Sequence, residues 1–283
     1  MSASNVLGEG RTALVTGASR GIGPLIAAEV AGEGGHVVLT GRSAADLRAV
    51  AAELAATGAD VSFLAADLTQ PGAAETLAET VERQRGGIDL LVNNAGGDPL
   101  REFHAMTIEE NLRTLQLNLI APIALSHAVL DGMLRRGAGH IVNISAMAGR
   151  VSFPYTEVYA AAKDGLIGFT RVLRGDYHPR GISASVLILG AIRDAGEGQR
   201  RLDETGAKAS RLMAPARSVA RAVVTAVKKD KPELVIQPGP GRLIRAVLDF
   251  YPALGPALNR AAGADAALRK VIEQREAQAD SAD

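Results

Sequence analysis

The chain has 283 residues but no cysteine and no tryptophan, and aromatic residues make up only 3% of it. Without cysteine there can be no disulfide, thiolate metal site or cysteine nucleophile. The same absence fits a reducing compartment, so a cytoplasmic location is expected, and no metal site is anticipated. The scarcity of aromatics argues against a base-stacking surface for single-stranded nucleic acid. An excess of one charge is also missing: 31 basic residues balance 31 acidic ones, whereas a general nucleic-acid binder carries a basic surplus. No uninterrupted apolar run reaches the roughly 18–20 residues of a membrane span. Residues Met1–Arg11 also lack the apolar core of a secretion signal. These absences leave a globular enzyme that acts on a small molecule as the expected class.

Of the residues present, 47% are hydrophobic, and the abundant alanine favours helices. Apolar, β-rich runs at 12–16, 36–40, 61–65, 88–93, 140–145, 182–188 and 233–237 read as strands. They are nearly continuous rather than alternating, as strands covered on both faces of a parallel sheet must be. Helical periodicity fills 22–32, 44–57, 71–85, 107–136 and 157–177. Repeated strand–helix units predict an α/β fold, a Rossmann-type doubly wound parallel sheet of about seven strands with right-handed crossovers. One unit is expected over 1–238, including a substrate-covering loop at 190–213, with a helical extension at 239–283. In that extension the apolar pattern from Leu243 to Leu258, broken by Pro252 and Pro256, is expected to cover the substrate mouth or a neighbouring subunit. A charged helix follows at 265–278.

Three motifs carry the chemistry. Thr16-Gly17-Ala18-Ser19-Arg20-Gly21-Ile22-Gly23 closes the first strand. Its glycines permit a tight reversal into a helix whose N-terminus can face a phosphate. At the end of the second strand, Gly41 stands where an acid would bind the ribose 2′-hydroxyl of NAD, and Arg42 and Ser43 follow. With Arg20, these offer two guanidiniums and a hydroxyl to a 2′-phosphate, so NADP(H) is the expected cofactor. The third motif pairs Tyr159 with Lys163, one helical turn apart on one helix face. A phenol with a pKa of about 10 becomes a useful proton donor near neutrality when a cation stands beside it. The run Gly17-Ala18-Ser19-Arg20-Gly21 also matches the serine-hydrolase elbow, but no histidine stands in a suitable late loop, and Gly23 and the Tyr159/Lys163 pair would be left unexplained.

In this order the motifs resemble the short-chain dehydrogenase/reductase family over residues 11 to about 237. The resemblance implies acid/base roles for Tyr159 and Lys163, with Lys163 also holding the nicotinamide ribose, and a proton relay anchored by Asn118. It implies cofactor contacts from Gly17, Ser19, Arg20, Gly21, Ile22, Gly23, Arg42, Ser43, Asp67, Leu68, Asn94, Ala95, Gly96, Leu117, Lys163, Gly190 and Ile192. Asp67 would receive the adenine amino group, Asn94-Ala95-Gly96 would flank the adenosine ribose, and Ile192 would offer its backbone to the nicotinamide amide. Homodimers formed through 107–136 and 157–177 are implied as well. The pattern is broken where the family's catalytic serine is expected: thirteen residues before Tyr159 stands Ala146. Ser145 could replace it only if the strand end is twisted; Ser152, Tyr155 and Thr156 are further hydroxyl sources. After the sixth strand, Leu189 replaces proline and Asp194 replaces threonine. The expected reaction is carbonyl–alcohol interconversion on a small, mainly apolar molecule. The alternative is a non-redox isomerase, dehydratase or cyclase using Tyr159, Lys163 and Asp194.

Overall fold

The computed structural model describes residues 6–151, 153–196, 199–200, 203, 213–239, 246–248, 250–251, 253–261, 268–269 and 271–273. Seven parallel strands form one sheet, built from β1 (Thr12–Thr16), β2 (His36–Gly41), β3 (Val61–Ala65), β4 (Leu90–Asn93), β5 (Gly139–Ala146), β6 (Ile182–Leu189) and β9 (Glu233–Ile236). Their order is β3-β2-β1-β4-β5-β6-β9. The direction of winding reverses between β1 and β4, and a crevice at the carboxyl ends of strands on either side of such a reversal is the ligand site of open α/β sheets. Register fixes what meets there: Ala13 pairs with Leu90, Gly41 with Ala65, and Ala146 with Leu189.

Alternation along the strands divides the core between two helical layers. Val15, Leu39, Val92, Val142 and Ile144 face α1 (Gly23–Ala31), α2 (Ala44–Ala56) and α8 (Ala216–Lys228). Leu14, Val38, Leu91 and Ile141 face α3 (Ala73–Arg85), α5 (Ala121–Arg136) and α7 (Glu157–Tyr177). The seven expected strands and the helices expected at 22–32, 44–57, 71–85, 107–136 and 157–177 are found. Helix α8 was missed in the sequence, although Val219, Ala220, Val223, Val224 and Val227 have helical spacing and are buried. So were α6 (Ala148–Val151) and a two-residue ribbon in which β7 (Ile192–Arg193) pairs with β8 (Ala214–Pro215).

The helical stretch expected over 107–136 starts at a capping box, with Thr107 and Glu110 satisfying each other's backbone N–H groups. A π-helical turn, Gln116–Ile120, then separates α4 (Ile108–Leu115) from α5. By length and mean hydropathy, 108–136 could cross a membrane. Here α5 packs against α3 and the sheet, while α4 packs against α7. Ile108, Leu112, Ile120 and, on α7, Val172 remain exposed.

In the tail, the described part of the stretch expected to cover the substrate mouth or a neighbouring subunit is mostly exposed. Val247, Phe250, Tyr251 and Leu254, the last opening α9 (Leu254–Ala261), are exposed, and of this stretch Leu248 is buried. Leu243, Ile244 and the Leu258 side chain lie outside the described residues. It is Leu268, Val271 and Ile272, from the segment expected to be a charged helix, that pack inward, against Leu100, Phe153 and Tyr155.

Candidate active site

The glycine turn is built by its neighbours as much as by its glycines. The Thr16 hydroxyl donates to the Val92 carbonyl (3.3 Å) and accepts from the backbone N–H groups of Asn94 and Ala95 (both 2.9 Å). In return the Asn94 amide donates to the carbonyls of Thr16 (3.0 Å) and Gly17 (3.3 Å). The end of β1 is thus bolted to the end of β4. Thr16 was not singled out in the sequence, though a hydroxyl residue closing β1 just before Gly17 was a visible signal.

Gly17 and Gly21 adopt φ of 65° and 68°, a region that strongly favours glycine. A Cβ on Gly23 would lie 2.0 Å from the Gly17 carbonyl oxygen, so no side chain fits. Ile22 is the N-cap of α1, with no side-chain hydrogen bond closing the helix end. Open N–H groups, the positive end of the helix dipole and a wall without Cβ atoms together fit a pyrophosphate. The loop beyond β6 folds back over this turn: a Cβ on Gly21 would lie 3.4 Å from Gly196 Cα.

At the end of β2 the Ser19 side chain stands over Gly41, whose absent Cβ would lie 3.1 Å from Ser19 Oγ. Arg20 and Arg42 are both exposed. The Ser43 hydroxyl oxygen caps α2 by accepting from the Asp46 N–H (3.2 Å), which leaves its proton free to donate. Asp67 accepts from the Thr69 backbone (3.0 Å) and hydroxyl (2.8 Å). Burial works to raise its pKa, but the Thr69 bonds, Gln70 and the Arg42 charge outweigh this and hold the carboxyl below its usual range. Leu68 is buried beneath it in the core.

The chemical centre lies where α7 crosses β5. Lys163 is 4% exposed, and its Nζ donates to the Ile144 carbonyl (3.0 Å). Burial pushes its pKa down from 10.5 to about 8. Nζ lies 5.6 Å from the centre of the half-buried Tyr159 ring. Asn118 sits fully buried in the π-helical turn, half-buried Leu117 beside it. Its amide donates to the carbonyls of Thr114 (2.9 Å) and Gly97 (2.8 Å), and its Oδ1 accepts from the Gly97 N–H (3.2 Å). A Cβ on Gly96 would lie 2.7 Å from Asn118 Oδ1 and 3.2 Å from Lys163 Nζ. The fold therefore brings Gly96, Asn118, Lys163 and Tyr159 together.

Ser145 does not join them as a substrate donor. Its side chain faces α7, where its one proton is donated to the Lys163 carbonyl (2.7 Å). With the Lys163–Ile144 bond this sets the register of α7 on β5, a positioning role in place of the expected catalytic one. Ala146, on the opposite face by strand alternation, pairs with Leu189. An apolar pair thus occupies the strand ends where the resemblance implies serine and proline. Of the other hydroxyl candidates, Thr156 is buried and donates to the Phe153 carbonyl (2.8 Å), and Ser152 lies outside the described residues.

Beyond β6, the Gly190 N–H donates to Ile236 (3.0 Å), and Ile192 is buried in the ribbon with Ala214. Asp194, with φ of 73°, is paired by Arg193 at 3.1 Å, which offsets a carboxylate near a phosphate site. Much of the expected substrate loop, at 197–198, 201–202 and 204–212, lies outside the described residues. Leu100 (φ 47°) and Tyr155 (φ 59°) are also left-handed. For bulky residues this costs on the order of 1–3 kcal/mol each and clusters at functional sites.

Comparison with known proteins agrees with this geometry. Residues 11–205 match the family model described as short chain dehydrogenase. The ketoacyl reductase HetN of Nostoc sp. is 32% identical over 233 residues, covering 82% of this chain and 80% of the relative. The 3-oxoacyl-acyl-carrier-protein reductase FabG of Escherichia coli K12 is 36% identical over 184 residues, 65% of this chain and 74% of the relative. A crystal structure of a metagenomic short-chain oxidoreductase in complex with NADP superposes with a TM-score of 0.70 at 30% identity, covering 82% of this chain and 98% of that one.

Proposed function

The chain belongs to the short-chain dehydrogenase/reductase family, and on that premise we propose that it is an NADP(H)-dependent reductase interconverting a carbonyl and an alcohol on a small, mainly apolar molecule. The observation that carries the reading is the convergence of Tyr159, Lys163 and Asn118 beside Gly96, at the carboxyl ends of the central strands. Gly17, Gly21, Ile22 and Gly23 would hold the pyrophosphate. Ser19, Arg20, Arg42 and Ser43 would hold the 2′-phosphate, Asp67 the adenine, and Asn94, Ala95, Gly96 and Lys163 the riboses. Bound NADPH supplies a hydride. The chain's own part is to give the Tyr159 phenolic proton to the developing alkoxide, hold the resulting phenolate beside the Lys163 ammonium, and restore the proton from water on the Asn118 side.

The Ala146–Leu189 pair favours a substrate whose reacting centre is flanked by apolar groups, with no hydroxyl from the β5 end polarising its carbonyl. The same pair is what favours the second reading, a non-redox acid/base catalyst built on Tyr159 and Lys163. Following nicotinamide absorbance while NADPH is mixed with apolar ketones and 3-oxoacyl thioesters decides between them. Consumption of NADPH matched by alcohol formation is expected; product formed without consumption selects the second.

Residues 1–238 form the catalytic unit in this reading and 239–283 an extension, of which Leu268, Val271 and Ile272 pack against that unit. The exposed Ile108 and Leu112 on α4, Ile120 in the π-helical turn and Val172 on α7 support a homodimer through these helices. Light scattering should give about twice 29.3 kDa; a monomer or a tetramer would count against it. A cytoplasmic location fits the lack of cysteine, and cell fractionation tests it.

A further inference from the structure

Residues 268, 271 and 272 pack against the loops that follow β4 and precede α7. Leu100, on the loop after β4, is fully buried in a cluster with Leu268, Val271 and Ile272, against which Phe153 and Tyr155 pack from the loop before α7. Residues 268, 271 and 272 have the i, i+3, i+4 spacing of one helical face. Arg269 lies 6.0 Å from the Tyr155 ring centre and 3.9 Å from Glu102. One short segment thus touches both loops that flank the reacting groups: Asn118 binds Gly97 in the first, and Tyr155 stands four residues before Tyr159 in the second. Each loop contains one of the bulky left-handed residues, Leu100 and Tyr155. Such backbone persists only where its surroundings over-determine it. Local bonds contribute: the Leu100 N–H donates to Asp98 Oδ1 (3.1 Å) and the Thr156 hydroxyl to the Phe153 carbonyl (2.8 Å). Leu268, Val271 and Ile272 supply most of the buried residues of the cluster that joins the loops to each other.

We propose that Leu268, Val271 and Ile272 form an intramolecular latch that holds the loops 97–104 and 153–156 in their working positions, with Leu268 and Ile272 as positioning residues. Its kinetic consequence rests on the reductase reading above; its conformational consequence does not. In the full-length protein, Leu268→Asp and Ile272→Asp should each speed amide hydrogen exchange in both loops by at least about tenfold, without any ligand, while β1 and β5 keep their protection. Leu268→Met and Ile272→Val should exchange like the parent, and if the aspartate variants unfold, Leu268→Ala and Ile272→Ala give the same test. With NADPH and a 3-oxobutanoyl thioester as the probe, KM for the thioester should rise at least about tenfold while kcat stays within about threefold. Unchanged exchange in both loops overturns the latch, and loosened loops with an unchanged KM overturn the positioning role. Absence of turnover in the parent would count against the reductase reading and leave the exchange result to decide the latch.

Discussion

The strands β1 to β3 end in backbone amides, glycines and polar side chains that hold one another in place, whereas β5 and β6 end in an alanine beside a leucine. On the first side the constraint is geometric. A Cβ at position 23 would overlap the Gly17 carbonyl, and one at position 17 would lie 2.8 Å from Ala95 Cα. A phosphate held by backbone N–H groups leaves little freedom in sequence. On the second side the substrate is met by side chains, so Ala146 and Leu189 can replace other residues with no change in the sheet, whose β5–β6 pairing runs unbroken to both. The difference teaches that a cofactor site made of backbone is preserved by the fold, while a substrate site made of side chains is free to be re-specified. Asn118 and Lys163 stand between the two, each bound to backbone.

The sharpest test of whether the two sides serve one reaction is Tyr159→Phe. It should lower kcat by about 10²- to 10⁴-fold with NADPH affinity, read by fluorescence titration, nearly unchanged. A fully active variant would move the proton source elsewhere, with Asp194 the next candidate. Lys163→Met should damage both turnover and NADPH affinity. The sign of its pH dependence follows from burial: the folded pKa, about 8, lies below the ordinary 10.5, so the native state loses its proton first. Reduction by the parent should therefore weaken as pH rises through about 8. The burial penalty on stability is fully present below about 8 and relieved toward 10.5. Lys163→Met should accordingly raise the thermal midpoint at pH 7, by about 2–4 °C per kcal/mol recovered; a lowered midpoint would show that the bond to Ile144 outweighs burial.

Smaller effects separate the two sides directly. NADPH should bind at least about tenfold more tightly than NADH, about 1.4 kcal/mol, and Arg42→Ala should erase most of that preference; equal affinities in the parent would break the cofactor side of the comparison. On the substrate side, Ala146→Ser restores a hydroxyl at the strand end. Losing one such donor costs on the order of 10²–10³ in rate where the site is built around it. Here Leu189 lines the same position, so a gain of less than about tenfold in ketone reduction is expected. A fall in native activity together with a gain on generic ketones would mean a site re-specified around the methyl group.

The amino-acid sequence by itself determined the sheet, the glycine turn and the placing of Tyr159 and Lys163 one turn apart on a helix, because each depends on contacts a few residues apart or on a period that repeats. Helix α8 was legible in the same way and was passed over. The π-helical turn that holds Asn118 splits the single helical stretch expected over 107–136. Tertiary structure alone decided what a buried hydroxyl is used for. Thr16 and Ser145 carry the same hydroxyl chemistry at the ends of β1 and β5, with β4 between them, yet one binds the backbone after β4 and the other is spent on the Lys163 carbonyl. It alone decided, too, which part of the tail turns inward: Phe250 and Tyr251 read as more apolar than the charged stretch around Leu268, but Leu268, Val271 and Ile272 meet Leu100. The physical reason is that burial is a property of what lies opposite, and residues 100 and 268 become neighbours only once the sheet between them has formed.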